Sequence, residues 1–433
     1  MTVYISRTPK SKALYARAKR VLPAGVAYGI RFFEPYPFYT ARARGSKLYD
    51  VDGNEYVDFW LGHTALVLGH SPNVVVKAVV KQLKNGTQYG TPHELEVQLA
   101  EQVARMVPGA EMTRFTNSGT EANMYATRLA RAYTKRDKVG KFEGGWHGGY
   151  DALHVAVKYP YDVPESAGLT AGATQDTIVL PFNDLTGVAR KLRNECVAAV
   201  IIEPVLGGGG GVLAEKEFLR GLRELCDEKG ILLIFDEVIT GFRLAPGCAE
   251  EYFGVRPDLS VFGKILGGGF PVGAFSGRSE LMEHLNSLVY ERPEYSFHGG
   301  TFAGNPITMT AGLATLGQLE DGRIIRRLNR EGMKIREELR GIFGRQGVEA
   351  QVVGAGSIFN VHFTKQHVTS AVDVGKADRK LLVDYNLSLI AGGVFWLPTH
   401  NAVISSAHSR EDISRLFGET ERFAQKMRHV HAG

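Results

Sequence analysis

An α/β fold is the architecture this sequence predicts: a large domain built on a mainly parallel sheet with helices on its faces, and a smaller α+β domain. Three observations predict it. From about residue 56 to 315, buried-type apolar runs alternate with amphipathic stretches. The 51 glycines, above the usual share of roughly 7%, gather in clusters beside those runs. Polar residues close the runs, at the ends where open parallel sheets bind ligands.

Taken in order, residues 10–21 have a helical pattern, and a Pro-rich passage follows. Residues 47–51 and 55–59 then flank the turn Asp52-Gly53-Asn54 as a hairpin. This is an N-terminal arm, residues 1–55, that joins the small domain. The large domain spans 56–315. In it, 197–202, 231–235 and 259–262 read as buried strands. Residues 217–229 read as a helix, because Phe218, Leu219, Leu222 and Leu225 recur at spacings of three and four. Glycine clusters at 207–211 and 267–269 allow sharp turns or close approach to a ligand. A basic helical stretch at 322–343, strands at 351–353 and 358–362, and a last helix from near Glu411 form the C-terminal small domain, 316–433.

The 433 residues, 44% hydrophobic and 22% charged, suffice for a large core. A formal charge of +5 without long runs of one sign argues against nucleic acid as a partner. The three cysteines, Cys196, Cys226 and Cys248, lack the spacing of a zinc site or redox pair, so a reducing compartment and no metal are expected. The N-terminus carries charges throughout, and no window reaches roughly 18 apolar residues, so a cytoplasmic protein without a membrane partner is expected.

Three strand ends carry chemistry. ILLIFDEV places Asp236 after an apolar run, VAAVIIEP ends in Glu203, and LSVFGKILGGG places Lys264 before a glycine cluster. A carboxylate closing a buried strand needs a cation or a protonated nitrogen beside it. A lysine in a water-poor pocket becomes a nucleophilic amine. An internal ion pair would account for Asp236 and Lys264 equally well. In RFTNSGTEANMYATRLARAYT, Ser118 with Glu121 is a capping-box pattern that starts a helix. Its first amides, with Gly119 and the hydroxyls of Ser118 and Thr120, make a phosphate cup, although a plain N-cap has the same signature. No G-x-x-x-x-G-K-[ST] run occurs, nor a G-x-G-x-x-G between a strand and its helix. A phosphate cup, a carboxylate for a ring nitrogen and an amine for an aldehyde match the three ends of pyridoxal 5'-phosphate.

The motifs TNSGTEAN, KFEGGWHGG, IIEPV, FDEVITGFR, GKILGGGFPVGAFSGR and GGTFAGNP, in this order, resemble class III aminotransferases of the fold-type I pyridoxal-phosphate superfamily. The resemblance covers nearly the whole chain. It implies that Lys264 forms the Schiff base with the cofactor and carries the proton, and that Asp236 keeps the pyridine nitrogen protonated. Val238 would support one ring face and Trp146 the other, with His147 beside it. Glu203 joins the cofactor-binding set. Ser118, Gly119 and Thr120 would hold the phosphate. Thr301 would reach it from the neighbouring subunit, which makes the protein a homodimer.

Within the family, FEGGWHGG, EEYFGVRPDL and FGKILGGGFPVGAF resemble glutamate-1-semialdehyde aminomutase, an isomerase of tetrapyrrole biosynthesis. The substrate-facing segments differ. Ala27-Tyr28-Gly29-Ile30-Arg31 stands where the aminomutase pattern has Asn-Ser-Pro-Val-Arg. Thr399-His400-Asn401-Ala402 lacks the aminomutase carboxylate, and His63 replaces a tryptophan. GVAYGIRFFEPYPF and DVDGNEYVDFWLGHTALVLGH resemble instead the aminotransferases of aromatic amino acids such as D-phenylglycine or β-phenylalanine. Arg31 is the candidate to grip the substrate carboxylate. Tyr28, His63 and Tyr89 are candidates to line the side-chain pocket. The expected activity is a ping-pong aminotransferase passing an amino group from an amino acid or amine donor to a 2-oxo acid. The alternative is the aminomutase, with no keto-acid acceptor and residues 158–173 as its lid.

Overall fold

The computed structural model describes residues 2–431. The chain divides into two compact units. One comprises Met1–Pro72, Arg330–His367 and Lys376–Gly433; the other comprises Asn73–Asn329 and Val368–Gly375.

In the first unit, β1 (Thr40–Arg44), β2 (Lys47–Asp50) and β3 (Glu55–Asp58) form an antiparallel meander. The expected hairpin is present. Asp50 closes its turn by accepting from the backbone of Asp52 at 3.0 Å and of Asn54 at 2.7 Å. The helix Pro9–Ala18 docks on the same turn, where Asp52 accepts from the amides of Lys10 and Ser11.

The second unit carries β4 (Met112–Thr116), β5 (Lys138–Phe142), β6 (Thr177–Leu180), β7 (Val197–Ile202), β8 (Leu232–Asp236), β9 (Leu259–Gly263) and β10 (Gly273–Gly277). Their order in one sheet is β4-β10-β9-β8-β7-β5-β6. Strands β6, β5, β7, β8 and β9 run parallel, and β10 is antiparallel to both β9 and β4. The predicted mainly parallel α/β architecture is therefore present. Every residue of β7, β8 and β9 is buried, which explains why they read as continuous apolar runs rather than as alternation. The helix Gly119–Thr134 lays Ala122, Tyr125, Ala126 and Leu129 on a core that includes Ile201, Ile234 and Val261.

Back in the first unit, β11 (Gln351–Val353), β12 (Ile358–His362), β13 (Val394–Phe395) and β14 (Ala402–Val403) complete the strands. β11-β12-β14 form a small antiparallel sheet, and β13 adds to β3 in parallel.

The unit boundaries, after Pro72 and after Asn329, lie beyond the expected 55 and 315. The first moves because β3 pairs with both β2 and β13 and so stays with the N-terminal arm. The second moves because Leu316, Leu319, Ile325 and Leu328 are buried and Asn329 donates to the Leu244 carbonyl oxygen at 2.7 Å. Among the described residues no helix is long and apolar enough to cross a membrane, and no acidic, His or Cys group could hold a metal.

Candidate active site

Glu203 follows β7, Asp236 ends β8 and Lys264 follows β9, so the three polar residues stand at the carboxyl ends of adjacent parallel strands. Trp146 and His147 follow β5, and Ser118 follows β4, which runs parallel to β9 through the antiparallel β10. Five strands thus deliver the expected residues to one edge of the sheet.

Asp236 is buried and well supplied with donors. Its Oδ2 accepts from Asn123 Nδ2 at 2.8 Å and contacts His147 Nδ1 at 2.8 Å, while Oδ1 accepts from the Val238 amide at 3.1 Å. Burial holds His147 below its ordinary pKa, so the imidazole is neutral and donates from Nδ1 to the carboxylate. Its Nε2 is buried without a hydrogen-bond partner.

Glu203, also buried, accepts from the Trp146 amide at 2.7 Å through Oε1 and from the Gly207 amide at 3.0 Å through Oε2. Burial, together with the charge on Asp236, pushes its carboxyl up to about 8. Lys264 is shifted the other way: burial lowers its ammonium pKa, and the charges of Asp236 and Glu203 only partly oppose this. The lysine backbone has φ +45°, a left-handed conformation that costs energy away from glycine and is typical of functional positions.

Ser118 caps the helix Gly119–Thr134, its Oγ accepting from the Glu121 amide at 3.2 Å. Glu121 reaches one residue further back than a reciprocal capping box, to the Asn117 amide at 2.7 Å. Gly119 is there because of Val238: a Cβ would stand 2.8 Å from Val238 Cγ2. Thr120 Oγ1 accepts from the Gly149 amide at 3.3 Å. The Trp146 ring packs edge-on against His154 at 5.3 Å.

Of the substrate candidates, Arg31, His63 and Tyr28 are brought together in the first unit. Arg31 Nε lies 3.4 Å from His63 Nε2, and Tyr28 stacks on His63 at 5.6 Å. Four consecutive residues, Leu61, Gly62, His63 and Thr64, have left-handed φ values between 49° and 66°. Asp58 holds this turn by accepting from the amides of Trp60 and Leu61. Tyr89 belongs to the other unit, where its hydroxyl donates to Asn85 and accepts from Gln82. Thr301 is exposed, and its carbonyl oxygen accepts from Gln88 Nε2. Residues 158–173 form a largely exposed segment in which Glu165 takes the amides of Val157 and Lys158.

Asn123 is a site residue that sequence reasoning missed. The only signal was its place in TNSGTEAN, one turn into the helix and beside Ala122 on the buried face. Lys141, at the head of KFEGGWHGG, is another: its ammonium group is fully buried in β5.

A family model described as aminotransferase class-III matches residues 32–409. The chain belongs to this family. A glutamate-1-semialdehyde 2,1-aminomutase from Methanothermobacter thermautotrophicus is 44% identical over 95% of this chain and 98% of its own. An ω-transaminase structure from Sphaerobacter thermophilus superposes with a TM-score of 0.92 at 35% identity, over 98% and 99% of the two chains. A glutamate-1-semialdehyde aminomutase structure from Pseudomonas aeruginosa PAO1 gives 0.89 at 26% identity, over 98% and 95%. The fold is that of the fold-type I pyridoxal-phosphate enzymes, and this class III protein is a pyridoxal-phosphate-dependent enzyme.

The residues present fit that cofactor. A buried carboxylate fed by two side-chain donors suits a ring nitrogen, a desolvated amine suits an aldehyde, and first-turn amides suit a phosphate. Two glycines leave room beside it: Gly119 next to Val238, and Gly208, whose Cβ would come within 3.2 Å of Trp146.

The expected donor-to-2-oxo-acid aminotransferase is overturned by the relatives. Relatives similar to this chain over nearly its full length are named aminomutases, at 44% identity in Methanothermobacter thermautotrophicus and 40% in Archaeoglobus fulgidus. The transaminase structure stands lower, at 35%. The expectation rested on three short segments; in one of them Trp60 packs on His63 at 4.8 Å and on His400 at 5.2 Å. In another, Asn401 is a buried side chain that accepts from Asn360 at 2.9 Å.

Proposed function

We propose that the protein is a glutamate-1-semialdehyde 2,1-aminomutase, which moves an amino group from carbon 2 to carbon 1 of a five-carbon acid and consumes no keto-acid acceptor. The observation that carries this reading is the 44% identity, over 95% of the chain, to a relative of that name.

The bound cofactor supplies an electron sink for negative charge on the substrate carbon next to nitrogen. Asp236, which is hydrogen-bonded by Asn123 and His147, would hold the proton on the ring nitrogen. Val238 and Trp146 would pack on the two ring faces, and Ser118, Gly119 and Thr120 would take the phosphate. Glu203 would fix the Trp146 backbone against the ring. Lys264 is the proton carrier. Burial favours its neutral amine, so Nζ removes and returns the proton at carbon 2 and at carbon 1 of the substrate. Arg31 would hold the substrate carboxylate by a two-pronged contact, with His63 and Tyr28 beside it. The active form would be a homodimer, with Thr301 reaching the phosphate of the neighbouring subunit.

The test is an assay of glutamate-1-semialdehyde with purified holoenzyme and no added keto acid. The expected result is complete conversion to the isomer in which amine and carbonyl have exchanged carbons. Turnover that depends on an added keto acid overturns the reading.

A further inference from the structure

Lys141 is a buried charge in the second unit to which neither the family resemblance nor the proposed mechanism assigns a role. It sits in β5, fully out of water, where an unpaired ammonium group is costly. Its Nζ donates to the Gly145 carbonyl oxygen at 2.8 Å and to the Val155 carbonyl oxygen at 2.5 Å. The first of these carbonyls belongs to the peptide whose N–H is the Trp146 amide, and that amide donates to Glu203 Oε1 at 2.7 Å.

A single peptide group thus lies between a buried cation and a buried carboxylate. A cation on the carbonyl oxygen withdraws electron density through the amide and strengthens the N–H as a donor, and hydrogen bonds in such a chain reinforce one another. We propose that Lys141 is a positioning residue of the active site: through the peptide between Gly145 and Trp146 it fixes the Trp146 backbone and lowers the proton affinity of Glu203.

The charges around the pair are consistent with this. Glu203 and Glu165 face Lys141, whose ammonium burial brings down to about 8. Asp236 and Lys264 face Glu203, and the Lys141 charge also acts on His147. Removing the cation leaves Glu203 with two amide donors and a like charge on Asp236, so the carboxyl takes up a proton more readily. The Lys141 bond to Val155 also ties the Trp146 turn to the loop that leads from the short turn Asp151–Leu153 toward Glu165.

The inference rests on reading Trp146 and Glu203 as cofactor contacts, and not on the substrate. It is tested by titrating the visible cofactor band of the holoenzyme between about pH 6 and 10 in wild type, Lys141→Met, Glu203→Gln and the double variant. K141M is expected to move the midpoint by about one pH unit, a tenfold change in proton affinity, and to move it no further in the E203Q background. An equal shift in both backgrounds, or none in either, overturns the proposal, because a lysine that merely fills its site has no reason to depend on the Glu203 charge. Should K141M fail to retain the cofactor, the thermal midpoints of the four apoproteins supply the same cycle, and additive effects overturn the proposal. Coupling in a protein that does not isomerise glutamate-1-semialdehyde supports the role of Lys141 and overturns only the proposed substrate.

Discussion

His147 Nδ1 and Asp236 Oδ2 stand 2.8 Å apart, with both side chains buried, and Asn123 Nδ2 reaches the same oxygen at the same distance. An ionised carboxylate inside a protein persists only if such donors replace water.

Replacing His147 by phenylalanine removes one of them while roughly keeping the ring volume. A hydrogen bond to a charged group is worth about 1.5–3 kcal/mol, so H147F is expected to weaken cofactor affinity roughly tenfold or more. Equilibrium dialysis of the cofactor against apoprotein measures this. Unchanged affinity in a folded variant would show that Asn123 and the Val238 amide suffice.

Lys264→Ala removes the proposed proton carrier, and turnover of glutamate-1-semialdehyde is expected to fall by roughly 10²- to 10⁴-fold or more. The lysine also leaves a mark on stability. Its pKa is lowered in the fold, so between that lowered value and 10.5 the unfolded chain binds more protons than the folded one, and stability rises with pH across that window. Thermal midpoints of the apoprotein at several pH values should show this rise in wild type and a weaker one in K264A.

Gly119→Ala places a Cβ 2.8 Å from Val238 Cγ2, closer than packed carbons come, so Val238 or the helix start must shift. The overpacking cost is about 1–3 kcal/mol, and it falls on the two elements that would hold the phosphate and the ring. G119A is expected to release cofactor faster on dilution, and adding Val238→Ala should recover part of the loss. A double variant no better than G119A would mean that the glycine serves another contact.

The strand ends were legible in the sequence because burial on both sheet faces makes β7, β8 and β9 uninterrupted apolar runs, so Glu203, Asp236 and Lys264 stand out as polar stops. The cap at Ser118 was legible for a similar reason: its bond to Glu121 is local. What stayed hidden is non-local. Nothing near Asn123 or Lys141 announces a partner more than a hundred residues away or one peptide removed. The boundary after Pro72 depends on the pairing of β3 with β13, a strand of two residues with no periodicity of its own. The left-handed run through His63 also left no trace, since of its four residues only Gly62 favours that conformation.

Thr301 decides whether each active site needs both subunits. It is exposed in the single chain, as are the neighbouring Phe297 and Phe302, at 61% and 57%. Large apolar side chains in such a cluster favour contact with another surface. A hybrid of one K264A subunit and one Thr301→Ala subunit separates the two arrangements. If Thr301 serves the neighbouring site, one site of the hybrid combines an intact Lys264 with an intact Thr301 from the K264A chain. Mixing the two inactive or impaired homodimers under dissociating conditions should then restore up to half of the wild-type activity. If Thr301 serves its own chain, the only site with Lys264 lacks the threonine, and the hybrid stays as impaired per active site as T301A itself.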